Sequence, residues 1–377
     1  MRLEHHYTTI AHKQSVRFLL LILAVKVQAA SITILPALDG FTSFTATAMS
    51  SNGSVVVGVS GDTAVRWTKE TGTKSLFSSP GGSIAIGVSS DGSHIVGSYG
   101  TPKTAFEWTE SQGPQPFDPK VCCANAVSAD GTVVVGTTAG SSVGQAYRFV
   151  FGSGSLILAS LGKYAQANDV SADGSVVVGA YQPIFGTSDS RAFLWTVAEG
   201  MVPLGTLPGA PGPFSIANGI SADGKVIVGT TDSSIGQQGF RWTAKTGMQG
   251  LGQLPDSITT ATAVSDNGKY IVGYAQVGGK QDYRAWIWDA TNGMRYITNI
   301  LSAEGVNLTG VSLVSAVGVS DDGLTIAGYG GRDGTGAAWL ATLGSVPPLP
   351  VATPEPASFQ ALALGVIGLG WLIRRRA

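Results

Sequence analysis

One twelve-residue unit recurs seven times along the chain, and it limits the available folds more than any other feature. The copies are TAMSSNGSVVVG (47–58), IGVSSDGSHIVG (86–97), NAVSADGTVVVG (125–136), NDVSADGSVVVG (168–179), NGISADGKVIVG (218–229), TAVSDNGKYIVG (262–273) and VGVSDDGLTIAG (317–328). Their final glycines lie 39 to 55 residues apart, with a mean of 45. Periods of that size belong to propeller blades or to helical arrays. Asp-Gly or Asn-Gly between β-branched apolar runs is a hairpin signal, which excludes the helical arrays. A third strand follows each hairpin, as in AVRWT (64–68), AFLWT (192–196) and AWIWD (285–289). A tight Gly-containing turn then leads to a fourth, as in GTKSLF from Gly72 and GMVPL from Gly200. Four strands per period make one propeller blade.

The fourth strand occurs six times, and the seventh repeat stops after its third. The chain also has an orphan strand, SITIL (31–35), ahead of the first repeat. The sequence therefore predicts an all-β, seven-bladed β-propeller with four-stranded blades, the last closed by the N-terminal strand. Pairing the two ends removes the liability of an open sheet edge. Composition agrees: 52 glycines and only 12% charged residues suit many short strands and turns.

The ends read differently from the body. Lys13 and Arg17 precede an apolar run, FLLLILAV (18–25), too short to span a bilayer. Val27-Gln28-Ala29 follows, so 1–29 reads as a signal peptide cut by signal peptidase after Ala29. Residues 30–344 are the propeller, 345–356 a Pro-rich spacer, and 357–377 an apolar stretch closed by Arg374, Arg375 and Arg376. That stretch is just long enough for a transmembrane helix, and its arginines would stay cytoplasmic. Without the basic ends the body holds 16 basic and 23 acidic side chains, −7 net, which gives no electrostatic footprint for nucleic acid.

Pro354-Glu355-Pro356, the apolar stretch and the arginine cluster occur in the order of the PEP-CTERM sorting signal, and the tail resembles that family. Thr353 stands where most members have Val. The resemblance implies recognition by a membrane-embedded exosortase, removal of the tail, and a Gram-negative host that makes exopolysaccharide and biofilm. It also implies passage through the inner membrane to the cell surface or beyond. The S-x-D/N-G hairpins, A-F-x-W strands and G-M-x-x-L-G segments resemble the HAF-type extracellular repeat family, which implies export and no particular activity.

Within a blade, the first–second and third–fourth turns share one face and are short here. The second–third and fourth–first loops share the other face and vary, as at 180–191, 205–217, 274–284 and 298–316. Variable loops on a rigid scaffold are where binding concentrates. Tyr99, Tyr181, Tyr274 and Tyr329 end the second strands of four blades, near that face. Such rings can stack on sugar, or pack blade against blade. Phe185, Tyr283, Arg284 and Arg332 are further loop candidates. The expected function is a surface binding module for exopolysaccharide or another surface protein. The alternatives are a glycan-acting enzyme using Asp189, Asp232, Asp282 or Asp333, and a structural coat protein.

Nothing calls for catalysis, a cofactor or a metal. The serines repeated in every hairpin read as structural, because one nucleophile needs no copies. The hairpin aspartates lack the spacing of a calcium loop. Trp67, Trp108, Trp195, Trp242, Trp288 and Trp339 read as blade core. His94 is the one histidine of the body. Cys122 and Cys123 read as two thiols at a loop–strand junction, with a vicinal disulfide as the alternative.

Overall fold

A computed structural model describes residues 29–344, apart from 118–120, 139–143, 159–160 and 185–188. Seven four-stranded antiparallel sheets make up the body. The first runs Phe44–Met49, Val55–Ser60, Thr63–Thr68 and Gly72–Ser75 in spatial order. The inner strands of the next six begin at Ser83, Val121, Tyr164, Ser215, Ser257 and Val311. Each inner strand contacts the next, and the seventh contacts the first, so the blades form a closed ring. The fourth strand of the seventh blade is Ser31–Leu35, antiparallel to Thr335–Thr342, with Ile34 opposite Trp339. The ring is thus sealed by its two chain ends, as the missing fourth strand predicts.

The repeated unit has a definite job in each blade. Its serine is buried, donates to the Asp or Asn two residues on, and accepts the backbone N–H five residues on. In the fourth blade Ser171 Oγ reaches Asp173 at 2.7 Å, and Val176 N–H reaches Ser171 Oγ at 3.0 Å. Asp173 in turn accepts the N–H of Ser175 at 3.0 Å. The same pair of serine contacts recurs at Ser50, Ser89, Ser128, Ser221, Ser265 and Ser320. The glycine after the acid has a φ near +70° in the fourth blade (Gly174), a left-handed conformation in which a side chain is strained.

The unit opens on a β-bulge. Thr47, Ile86, Asn125, Asn168, Asn218, Thr262 and Val317 each sit where the inner strand slips register against the second. A bulge re-aims its side chain, and five of these side chains reach the next blade. Thr47, Asn125, Asn168, Asn218 and Thr262 donate to the carbonyls of Ala85, Ala167, Ala217, Ala261 and Ala316, at 2.7 to 2.8 Å. Those bonds satisfy backbone acceptors on the inner edges, which have no further strand to pair with. The unit's last glycine lets the inner strand of its own blade come close beside the bulge: a Cβ on Gly179 would overlap the carbonyl oxygen of Gln166.

The core divides into seven clusters, one between each pair of neighbouring blades. Trp67, Trp108, Trp195 and Trp339 are buried as expected, while Trp242 and Trp288 are only half-buried. The cysteines lie inside the strand Val121–Val127, with Cys122 at a second bulge, rather than at its junction with a loop. Both are free thiols, with the sulfurs 2.7 Å apart. Burial, with Cys122 alongside, pushes the Cys123 thiol up to about 12. Two stretches that the sequence predicts as loops are ordered. Residues 274–284 form a long hairpin whose strands, Tyr270–Val277 and Asp282–Asp289, pair through Val277 and Asp282. The chain enters 298–316 through the short helix Ile297–Ala303, which buries Ile297, Ile300 and Leu301. Among the described residues no helix is long and apolar enough to cross a membrane. The apolar stretch, its arginines, the Pro-Glu-Pro motif and residues 1–28 lie outside the described residues.

Candidate functional site

The channel down the ring axis has two unlike ends. At the hairpin end the tips are tied to one another. Ala129 N–H donates to Ala172 O, Ala172 N–H to Ala222 O, and Ala222 N–H to Asp266 O, each at 3.0 Å. Asn267 continues the chain onto Asp321. Ser90 Oγ in the second blade donates across the axis to Asp266 Oδ2 in the sixth at 3.2 Å. Two short side chains therefore bridge the lumen at that end.

Asp169 stands in the channel wall at a repeat position that holds Ala or Gly in every other blade. Its carboxylate accepts Val170 N–H at 2.8 Å and Ile220 N–H at 2.9 Å, which fastens the fourth blade to the fifth. Burial pushes its carboxyl up to about 7, the two N–H donors pull the other way, and Asp266 adds to the rise. Part of its surface touches the lumen, so by area it is half-buried. Protein nevertheless surrounds it on all sides, and that enclosure governs its charge.

The opposite end is the open mouth, on the face of the variable loops. Two adjoining hollows of about 500 Å³ each meet there at Ile216 and Asn218. One reaches Tyr164, Gln166, Gln182 and Ser190. The other reaches Thr230, Gln237, Thr260, Tyr274 and Tyr329. Among the described residues no charged side chain lines either. The side chains of Gln237 and Thr260 and the hydroxyls of Tyr274 and Tyr329 have no hydrogen-bond partner there, and the buried Thr230 hydroxyl is likewise unmatched. An unmatched buried hydroxyl costs free energy until something answers it.

The sequence candidates divide. Tyr274 and Tyr329 line the mouth, and Tyr283 packs edge-on against Tyr274 with ring centres 5.8 Å apart. Tyr181 does not belong with them. It is 4% exposed, inside the core between the third and fourth blades, because it stands two residues after Gly179 and so on the opposite strand face to Tyr274 and Tyr329, which follow Gly273 and Gly328 directly. Tyr99 is also withdrawn, packed against Phe77 and Phe106. Arg284 is bound by Asp282 at 2.6 Å and lies over Tyr296, and exposed Arg332 faces Asp333 at 3.7 Å. Phe185 lies outside the described residues. Tyr164, Gln166, Gln182 and Gln237 join Tyr274 and Tyr329 at the mouth, and their signal in the sequence is polar residues in an inner strand, at the end of a second strand and just ahead of a third.

Asp189 is held by Arg191 at 3.0 Å. Asp282 is held well below the usual carboxylate range by the hydrogen-bonded Arg284. His94 Nδ1 pairs with Glu107 at 2.6 Å between the strands of its own blade. Among the described residues no three His, Cys, Asp or Glu side chains come together as a metal site would require.

Fold and site together define a β-propeller whose axial channel is crossed by a side-chain hydrogen bond at the hairpin end and opens into an uncharged mouth at the other. No protein-family model and no curated protein matches the chain. Solved structures do. An oligogalacturonate lyase from Vibrio parahaemolyticus is 11% identical with a TM-score of 0.56, over 84% of this chain and 97% of the lyase. An oligogalacturonate lyase in complex with manganese is 12% identical with a TM-score of 0.57, over 83% and 90%. TolB from Acinetobacter baumannii is 16% identical with a TM-score of 0.40, over 53% of this chain, which spans about half (51%) of that structure. At these identities the likeness is one of fold.

Proposed function

We propose that the protein is an exported binding propeller that holds a glycan of the host's exopolysaccharide at the open mouth of its channel. The observation that carries this reading is the chemistry of the mouth. Tyrosine rings and unanswered hydroxyl and amide groups, with no charge among the described lining residues, match the apolar faces and hydroxyl edges of sugar rings. In this reading the protein holds its ligand without turning it over. Asp189 and Asp282 are each bound by an arginine, and the Asp282 carboxyl, held low by Arg284, is poorly suited to act as a general acid. Export through the signal peptide and sorting by an exosortase acting on Pro354-Glu355-Pro356 complete the proposal.

Calorimetric titration of the purified protein with the host exopolysaccharide tests the binding. Saturable binding is expected, and Tyr274→Ala with Tyr329→Ala together should weaken it about tenfold, the equivalent of about 1.4 kcal/mol. Unchanged affinity in the double variant would rule out the mouth. Sorting is read by cell fractionation. Alanines at Pro354, Glu355 and Pro356 should leave the full-length chain in the membrane, and normal release would refute exosortase processing.

A further inference from the structure

Three third strands carry arginine at the same position, and each meets the following blade differently. Arg66 Nη1 donates to Glu110 at 2.9 Å, with its guanidinium 5.8 Å from the centre of the Trp108 ring. Arg148 Nε donates to the Gly174 carbonyl at 2.9 Å. Arg241 has no hydrogen-bond or ion-pair partner for its side chain among the described residues. The reason lies in the next blade. Trp288 occupies the place of Trp108, but Ala290 stands where the first junction has Glu110. The carboxylate that closes the first junction is missing from this one.

A hollow of about 680 Å³ opens there, on the hairpin face and away from the mouth, lined by Arg241, Lys269, Tyr270, Trp288 and Asp289 among others. Lys269 is exposed and, among the described residues, has no ion pair. Asp289, the acid in the wall, is already engaged. Its carboxylate accepts the N–H groups of Thr291 and Asn292 and pairs with Arg295 at 2.6 Å. The groove therefore presents two unanswered cations beside a half-buried indole.

We propose that this groove between the fifth and sixth blades is a second binding site, for a carboxylate-bearing sugar of an acidic polysaccharide. The ligand carboxylate takes the place that Glu110 has at the first junction, held by Arg241 and Lys269. A planar guanidinium fork matches a carboxylate in two places at once. The indole face of Trp288 takes the apolar face of the sugar ring. The site does not depend on the mouth. The acidic body around it repels a polyanion at long range, so the attraction is local and sensitive to salt.

Calorimetry of the full-length protein compares an oligouronide of four rings with the same oligosaccharide after its carboxyls are reduced to alcohols. The acidic form should bind, and the reduced form should bind about tenfold more weakly or worse, the loss of one charge-assisted pair. Arg241→Gln and Lys269→Gln should each lower affinity for the acidic form by a similar factor. Ala290→Glu, at an exposed position, should abolish it by restoring the closed arrangement of the first junction. Lys74→Gln, an exposed cation on the outer strand of the first blade, should leave it unchanged. Equal affinity for the two oligosaccharides, no binding of the acidic one, or indifference to Arg241→Gln or Ala290→Glu would overturn the proposal.

Discussion

Ile34 lies directly opposite Trp339, on strands from the two ends of the described chain. Next to that pair Leu35, 2% exposed, faces Ala338 and packs with Phe44 and Trp67 of the first blade. One short strand therefore joins the seventh blade and contacts the first. Leu35→Ala should cost about 2–5 kcal/mol in urea denaturation, as large-to-small changes in a core do. Deleting Ser31–Leu35 should prevent cooperative unfolding altogether. A deletion variant with the wild-type midpoint would mean that the ring holds without its seal.

Ser171 supplies the second prediction. Ser171→Ala leaves the half-buried N–H of Val176 without its acceptor and removes the hydroxyl that anchors Asp173. The expected cost is about 1–3 kcal/mol, the desolvation penalty of one unmatched group. Glycan binding should not change, which separates a structural serine from a reactive one. A silent variant in denaturation would show that one hairpin in seven is dispensable.

Acid should weaken the ring through the same turns. Asp130, Asp173 and Asp223 are held below the usual carboxylate range chiefly by the hydroxyls of Ser128, Ser171 and Ser221, and Asp91 chiefly by Ser93 N–H. A carboxyl lowered in the folded state adds stability that is complete above its unfolded value and is lost as pH falls through the folded one. Thermal midpoints should therefore drop below about pH 4, where unfolded aspartates take up protons. Replacing all four with Asn should flatten that drop.

Asp169 should behave in the opposite sense. Its carboxyl is raised to about 7, so the unfolded chain releases that proton first as pH rises. Stability from this group is complete below about pH 4 and declines up to about pH 7, by at most about 4 kcal/mol for a rise of some three units. The advantage of the wild type over Asp169→Ala should shrink accordingly between pH 4 and pH 8. An advantage that grows over that range would show that the carboxylate is held charged.

Much of the fold is legible in the sequence because the hairpin chemistry is local. Ser, Asp and Gly at fixed offsets make the turn, and the glycine's conformation leaves few substitutes. The closing strand is legible from a count, six fourth strands for seven blades. The bulges are not. Asn168 and Thr262 look like ordinary polar strand residues until the neighbouring blade supplies the carbonyl they bind. The helix Ile297–Ala303 is equally hidden, since ITNILSA has β-branched residues and no side-chain cap. The tyrosines are legible one step further than the repeats alone suggest. Tyr181 stands two residues after the last glycine of its unit and Tyr274 only one, so strand alternation turns them to opposite faces: one is core and the other lines the mouth. Arg241 was legible only in comparison, as Arg66 without its Glu110.

The bond from Ser90 to Asp266 lies across the axis, so a polymer threaded through this ring would have to break it. While that bond holds, whatever enters the mouth leaves by the way it came. The protein would then grip a chain by its end or by a branch, capping it, and its occupancy would follow the number of ends in a matrix instead of the total length of its strands.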